Sequence, residues 1–221
     1  MTETRGDEQD IVAFMQSIAG QQPEGRVALD VGAGAGQSSQ PYAQVGWSVI
    51  SADVAMEALR SGLTDGRIQP GRAVFADGRR LPFRDAAFHL VSSRWFLHEF
   101  PDQVPFLREM RRVVHDDGVV VAVDFAAPSR ASQEFLNRYV LADEYVRAWT
   151  ELVVPWADAG MRVDRLERHH RRMEKDEAIR AVACGSGTGA LKEVKRELHI
   201  TCDERQVFLR IPVAFLVARR A

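Results

Sequence analysis

A chain of 221 residues with 46% hydrophobic and 27% charged residues has the make-up of one globular domain, since single cores keep growing until roughly 250 residues. Its formal net charge of -2 offers no global attraction to nucleic acid or to an anionic membrane, and neither is expected as a partner. No apolar run approaches the ~20 residues of a membrane span, and Glu3, Asp7, Glu8 and Asp10 replace the basic start of a signal peptide, so a cytoplasmic protein is expected. Cys184 and Cys202 stand far apart without CxxC spacing, which predicts free thiols and no metal site.

Ile11, Phe14, Met15 and Ile18 recur at helical spacing and predict a short amphipathic helix ending near Gly20. Val27 to Val31 reads as a first strand running into Gly32, Gly34 and Gly36, with Ser38 and Ser39 opening the next helix. Ser48 to Ala52, Ala73 to Ala76 and Phe88 to Ser93 read as further strands, with a helix through Met56 to Arg60. Phe106, Met110, Val113 and Val114 mark a helix capped by Asp102, and the unbroken run Val119 to Val123 suits a parallel strand buried on both faces. Beyond Pro128, a helical, aromatic-rich segment is expected over Phe135 to Thr150, then late strands at Val163 to His169 and Val207 to Val217 around an interrupted helical stretch at 174 to 199. Alternating strands and helices imply a doubly wound α/β sheet.

The strongest local signal is ALDVGAGAG, Ala28 to Gly36, in which Asp30 nearly ends a strand and alternating glycines follow. Glycines let a backbone approach a ligand closely, and the next helix start offers free N–H groups. Gln37 stands where a nicotinamide fingerprint needs glycine, which disfavours a dehydrogenase. Asp53 closes the second strand, where a carboxylate can accept both hydroxyls of a ribose, and Asp77 with Gly78 follows the third, suited to the edge of an adenine. Each of these reads alone as a helix cap or a turn; together they line one sheet edge.

These residues, with ADGRRLPF (Ala76 to Phe83), FHLVSSRWFLHEF (Phe88 to Phe100) and FLREMRRVVHDDGVVVAVDF (Phe106 to Phe125), resemble the ordered motifs of class I S-adenosylmethionine-dependent methyltransferases, nearest in flavour to the ubiquinone/menaquinone-biosynthesis type. The likeness runs from Arg26 to Phe125. It implies a Rossmann-like, doubly wound, seven-stranded and mostly parallel sheet with an antiparallel last strand. It also implies a single domain over 1–221, divided into a cofactor-binding half at 9–125, a small helical cap near 129–155 and C-terminal strands and helices at 156–221. The resemblance places the methionine end of S-adenosylmethionine on Asp30, Gly32, Ala33, Gly34 and Gly36, the ribose on Asp53 and the adenine on Val54, Asp77 and Gly78, with Ser93 and Arg94 completing the cofactor site. His89, Ala58 and the turn Asp116, Asp117, Gly118 depart from the family pattern.

The expected activity is methyl transfer to a small organic acceptor at oxygen, carbon or nitrogen, in secondary or cofactor metabolism, leaving S-adenosylhomocysteine. A non-methylating cyclisation or rearrangement and a silent scaffold are the alternatives, and a homodimer is allowed. His98, just past the fourth strand, reads equally as a catalytic base or as a histidine that fixes its loop. Trp95, Phe96, Tyr139, Tyr145 and Trp149 are candidate walls and lid of an acceptor pocket, with core packing as their other reading. The basic run Arg165, Arg168, His169, His170, Arg171 and Arg172 reads as solvated, and the CGSGTG run at 184 to 189 as a break between helices.

Overall fold

A computed structural model describes residues 4–20, 25–142, 144–175, 183, 189–202 and 206–221. Helix α1 (Thr4–Ala19) precedes β1 (Val27–Val31), α2 (Ser39–Gln44), β2 (Ser48–Asp53), α3 (Met56–Thr64), β3 (Ala73–Phe75), β4 (Phe88–Arg94), α4 (Val104–Val113) and β5 (Val114–Ala127). Then come α5 (Arg130–Phe135), β6 (Arg147–Ala148), α6 (Val154–Asp158), β7 (Met161–Lys175), α7 (Gly189–Glu197), β8 (Thr201–Cys202) and β9 (Val207–Arg220). The sheet runs β3-β2-β1-β4-β5-β9-β7, parallel up to β5 and antiparallel on both sides of β9. The two-residue strands β6 and β8 lie off this path, so the described sheet has nine strands where seven were expected.

β5 shows why an all-apolar strand belongs at the centre. Val121, Val123, Phe125 and Ala127 enter a core beneath α1, α2, α5 and α7, while Val120, Ala122 and Ala126 enter the opposite core with Leu107 and Met110 of α4 and Trp156 of α6. Two layers of helix therefore cover both faces, and the free edge is the line where the parallel strands end. The N-cap of α4 is Gln103 rather than the expected Asp102, which lies one residue earlier and accepts from Val104 N through Oδ1 at 3.0 Å. The Asp116, Asp117, Gly118 turn is instead a bulge inside β5, where the pairing to β4 jumps from Phe88↔Val114 to Leu90↔Val119.

The cap departs further from expectation. α5 continues into a π-helical turn at Leu136–Val140, and the chain then straightens through β6 into a 3₁₀ turn at Trp149–Glu151. Asn137 explains the break, because its side chain accepts from Val146 N at 3.0 Å and donates to Val146 O at 3.2 Å, holding an extended return. The late strands are longer than expected. β5 reaches β9 only between Val213 and Ala218, whereas β7 and β9 stay paired from Met161↔Arg220 to Lys175↔Val207. The pair thus continues past β5 as a ribbon that β8 joins at Val207 and Phe208, and residues 174 and 175 are strand rather than helix. Of the expected interrupted helix, α7 is described, while 176–182 and 184–188 lie outside the described residues. Cys202 is disulfide-bonded rather than a free thiol, and Cys184 lies outside the described residues.

Candidate active site

The turn after β1 is shaped by hydrogen bonds to its neighbour strand. Gly32 N and Ala33 N both donate to Ala52 O, at 2.9 and 3.2 Å, and Gly34 N donates to Asp53 Oδ2 at 2.7 Å. Asp53 Oδ1 accepts from Ala55 N at 2.7 Å. Each carboxylate oxygen keeps acceptor capacity, so Asp53 braces the glycine turn and still faces outward. Gly34, at φ +52°, opens onto space in which an added Cβ would meet nothing within 4 Å. Gly36 serves packing instead: at φ +82°, a Cβ there would come 2.6 Å from Ile68 Cγ1.

Asp30 lies beneath this turn, fully buried, accepting from Ser39 Oγ at 2.7 Å and Ser92 Oγ at 3.2 Å. Burial pushes its carboxyl up to about 6 against the opposing pull of the two hydroxyls. It forms no part of the cavity walls, and neither does buried Ser93.

Two cavities meet at Gly32, Asp53, Val54, Phe96 and Phe100. One, of about 100 Å³, adds Ala76, Asp77, Gly78, Arg79 and Phe106. Phe96, Phe100 and Phe106 form a cluster of ring contacts there, with Phe100 and Phe106 centroids 4.1 Å apart. Asp77 is held by Arg79 through both side-chain and backbone N–H groups, which keeps its carboxyl below the usual range. The loop behind it is pinned to α4: Leu81 N donates to Glu109 at 2.8 Å, and Arg112 donates to the carbonyls of Leu81 and Phe83 at 3.0 and 2.8 Å.

The larger cavity, of about 570 Å³, continues past Ala33, Gly34, Gln37 and Ser38 to Arg94, Trp95, Glu99 and Arg171. Trp95 holds a left-handed backbone at φ +52°, fixed by its N–H to Val123 O at 3.0 Å, and stacks on Phe125 at 4.4 Å. Such a conformation is uncommon for a bulky residue and points to a constrained site. Its indole Nε1 is buried without a hydrogen-bond partner.

His98 occupies the 3₁₀ turn Leu97–Glu99 and is buried away from both cavities. Its Nδ1 meets Asp124 Oδ1, and its Nε2 lies 3.0 Å from Glu144 Oε2. Burial opposes the charged ring, but Asp124, Glu144 and Glu99 outweigh it and hold the pKa above the ordinary 6.5. The clamped ring joins the β4 loop, β5 and the cap, and its two nitrogens face carboxylates rather than either cavity. Glu99 instead lines the cavity, and burial, reinforced by Glu144 and Asp124 against the pull of His98, raises its carboxyl.

Of the expected acceptor-pocket aromatics, Trp95 and Phe96 line the cavity and three do not. Tyr139 packs on Phe135 at 5.4 Å, Trp149 carries the guanidinium of Arg168 at 4.2 Å, and Tyr145 is exposed. The π turn and the extended return direct them elsewhere. Sequence reasoning missed Phe100 and Phe106, which sat inside the quoted motifs, and Arg171, whose role no local pattern signals.

A methyltransferase-domain family matches residues 29–122. The demethylmenaquinone methyltransferase of Renibacterium salmoninarum is 30% identical over 184 residues, covering 72% of this chain and 74% of that protein. The chain belongs to the class I S-adenosylmethionine-dependent methyltransferases of the ubiquinone/menaquinone type. Among solved structures, a Bacillus halodurans protein described as a candidate methyltransferase superposes on this enzyme with a TM-score of 0.82 at 20% identity, covering 96% and 99% of the two chains. The [4+2]-cyclase SpnF shares the methyltransferase fold at a TM-score of 0.68 and 16% identity, covering 96% of this chain and 80% of its own. The described residues suit the family's cofactor: the open space over Gly34, the outward Asp53 and the unpartnered Trp95 Nε1 leave room and polar atoms along one continuous cleft. No helix among the described residues is long and apolar enough to cross a membrane.

Proposed function

We propose that this methyltransferase transfers a methyl group to a small organic acceptor at oxygen, carbon or nitrogen, in secondary or cofactor metabolism, with residues 1–221 acting as one catalytic domain. The observation that carries the reading is Asp53, which borders both cavities while bracing Gly34. Bound S-adenosylmethionine supplies an electrophilic methyl group on a sulfonium. Asp53 accepts the ribose hydroxyls, Val54 and the Phe100–Phe106 pair hold the adenine face, and Asp77 accepts from its amino group. Gly32, Ala33 and Gly34 bring backbone against the methionine end.

Methyl transfer needs the nucleophile in line and about 3 Å from the methyl carbon, so positioning supplies several kcal/mol of the barrier. Trp95, Arg94 and Glu99 form the wall left for an acceptor. Where the acceptor must lose a proton, Glu99 takes it, because it lines the cavity while both nitrogens of His98 face carboxylates. His98 holds the loop that carries Glu99.

Calorimetric titration with S-adenosylmethionine and S-adenosylhomocysteine tests the reading. Binding on the order of micromolar Kd, corresponding to about 8 kcal/mol, is expected for the native chain and its loss for Asp53→Ala. A folded native chain that binds neither would sink the proposal. Formation of S-adenosylhomocysteine with a methylated product separates methyl transfer from a cyclisation on the same fold.

A further inference from the structure

The larger cavity has one wall to which neither composition nor motif assigned a task. β7 and β9 outrun the sheet, and Arg171, paired with Ile211, lies on the overhanging ribbon beyond Val213, the last residue of β9 that β5 reaches. From there its side chain reaches the cavity that also holds Gly32, Gly34 and Asp53. The guanidinium sits 5.0 Å from the Trp95 ring centroid, and Trp95 is itself stacked on Phe125 and fixed in its left-handed backbone. Two arginines nearer the start of the strand have acidic partners, Arg162 with Asp164 and Arg165 with Glu167. No carboxylate among the described residues pairs with Arg171.

An aromatic platform holds a guanidinium by its face and leaves its N–H edge available, and that planar fork matches a carboxylate better than any other small anion-bearing group of an amino acid. The cofactor assigned above carries two cations, the sulfonium and the amine, and one anion, the carboxylate of its amino-acid end. With the ribose on Asp53, that end runs across Gly32 to Gly34 in the cavity that Arg171 lines. We propose that Arg171 binds the carboxylate of the amino-acid end of S-adenosylmethionine. The inference rests on the cofactor reading and goes beyond it, since it places a residue of the C-terminal ribbon in a site otherwise built by the first half of the chain.

Decarboxylated S-adenosylmethionine keeps the sulfonium and the amine and lacks only the group in question, so it separates this role from general shaping of the cleft. Calorimetry on the native chain is expected to show S-adenosylmethionine bound at least about tenfold more tightly than its decarboxylated form, the scale of one charge-assisted hydrogen bond. Arg171→Gln is expected to abolish that preference, with the decarboxylated ligand bound as before, and Arg171→Lys to keep part of it. An unchanged preference in Arg171→Gln overturns the assignment and leaves the arginine to the acceptor. Equal weakening of both ligands also overturns it, and makes Arg171 a brace for Trp95. A native chain that binds S-adenosylmethionine without any preference rejects this inference alone; one that binds neither ligand rejects the cofactor reading beneath it.

Discussion

His98 shows how neighbours decide what a titratable residue does. A histidine just past a strand of this sheet has the address of a base, yet Asp124 on one side and Glu144 on the other favour its charged form and tie three segments together through it. Its folded pKa lies above the ordinary 6.5, so folding binds a proton there and the stabilisation is complete below that value. It is then lost as pH rises through the folded pKa. His98→Gln removes the cation and leaves two largely buried carboxylates facing one another, which costs on the order of 3 kcal/mol at pH 6. As pH rises through the folded pKa the native ring loses its charge too, and the difference between the proteins shrinks. Urea midpoints followed upward from pH 6 measure this, and a gap that stayed constant would show that the histidine acts by shape alone. Cofactor binding should survive the change, since His98 lines neither cavity.

At the scale of the element, the glycine turn after β1 combines two tasks that its spacing merges. Gly36 holds φ +82° against Ile68, while Gly34 holds φ +52° over open space. Gly36→Ala therefore meets both an unfavourable backbone and a steric conflict, and should lower stability by about 2–3 kcal/mol. Gly34→Ala meets only the backbone penalty, about 1 kcal/mol, but places a methyl group where the cofactor is to lie. Melting curves and titration with S-adenosylhomocysteine separate the two: the first variant melts earlier, and the second loses binding out of proportion to its stability. Equal melting and equal binding losses would return both glycines to a single role. The strands around this turn were legible because apolar runs, Asp30, Asp53 and Asp77 each mark where a parallel strand ends. The cap was not, because Asn137 breaks its helix through bonds to Val146, a partner that periodicity does not reveal.

For the whole molecule, what escaped the sequence is long-range. Arg171 belonged to a basic run whose local pattern reads as solvated, and only the unequal reach of β5 and β7 along β9 carries it over the cleft. The two-sided core was legible in Val119 to Val123 because burial on both faces demands an unbroken apolar run. α1 completes one of those faces: Phe14 is 6% exposed and tilts against Phe215 of β9 at 4.6 Å, and Trp47 Nε1 donates to Ala19 O at 3.1 Å. The N-terminal helix thus packs on the strand that closes the C-terminal half, joining both ends of the chain in one core. Phe14→Ala should cost about 3–4 kcal/mol through lost burial and the cavity left over Phe215. Val154→Ala, at a residue 51% exposed, should cost under about 0.5 kcal/mol. If α1 belongs to the core, urea unfolding of Phe14→Ala moves to a lower midpoint with an unchanged slope and remains one transition by both fluorescence and far-ultraviolet dichroism. A native-like midpoint accompanied by an early loss of helical signal would instead make α1 a separable appendage, with the sheet folding without it.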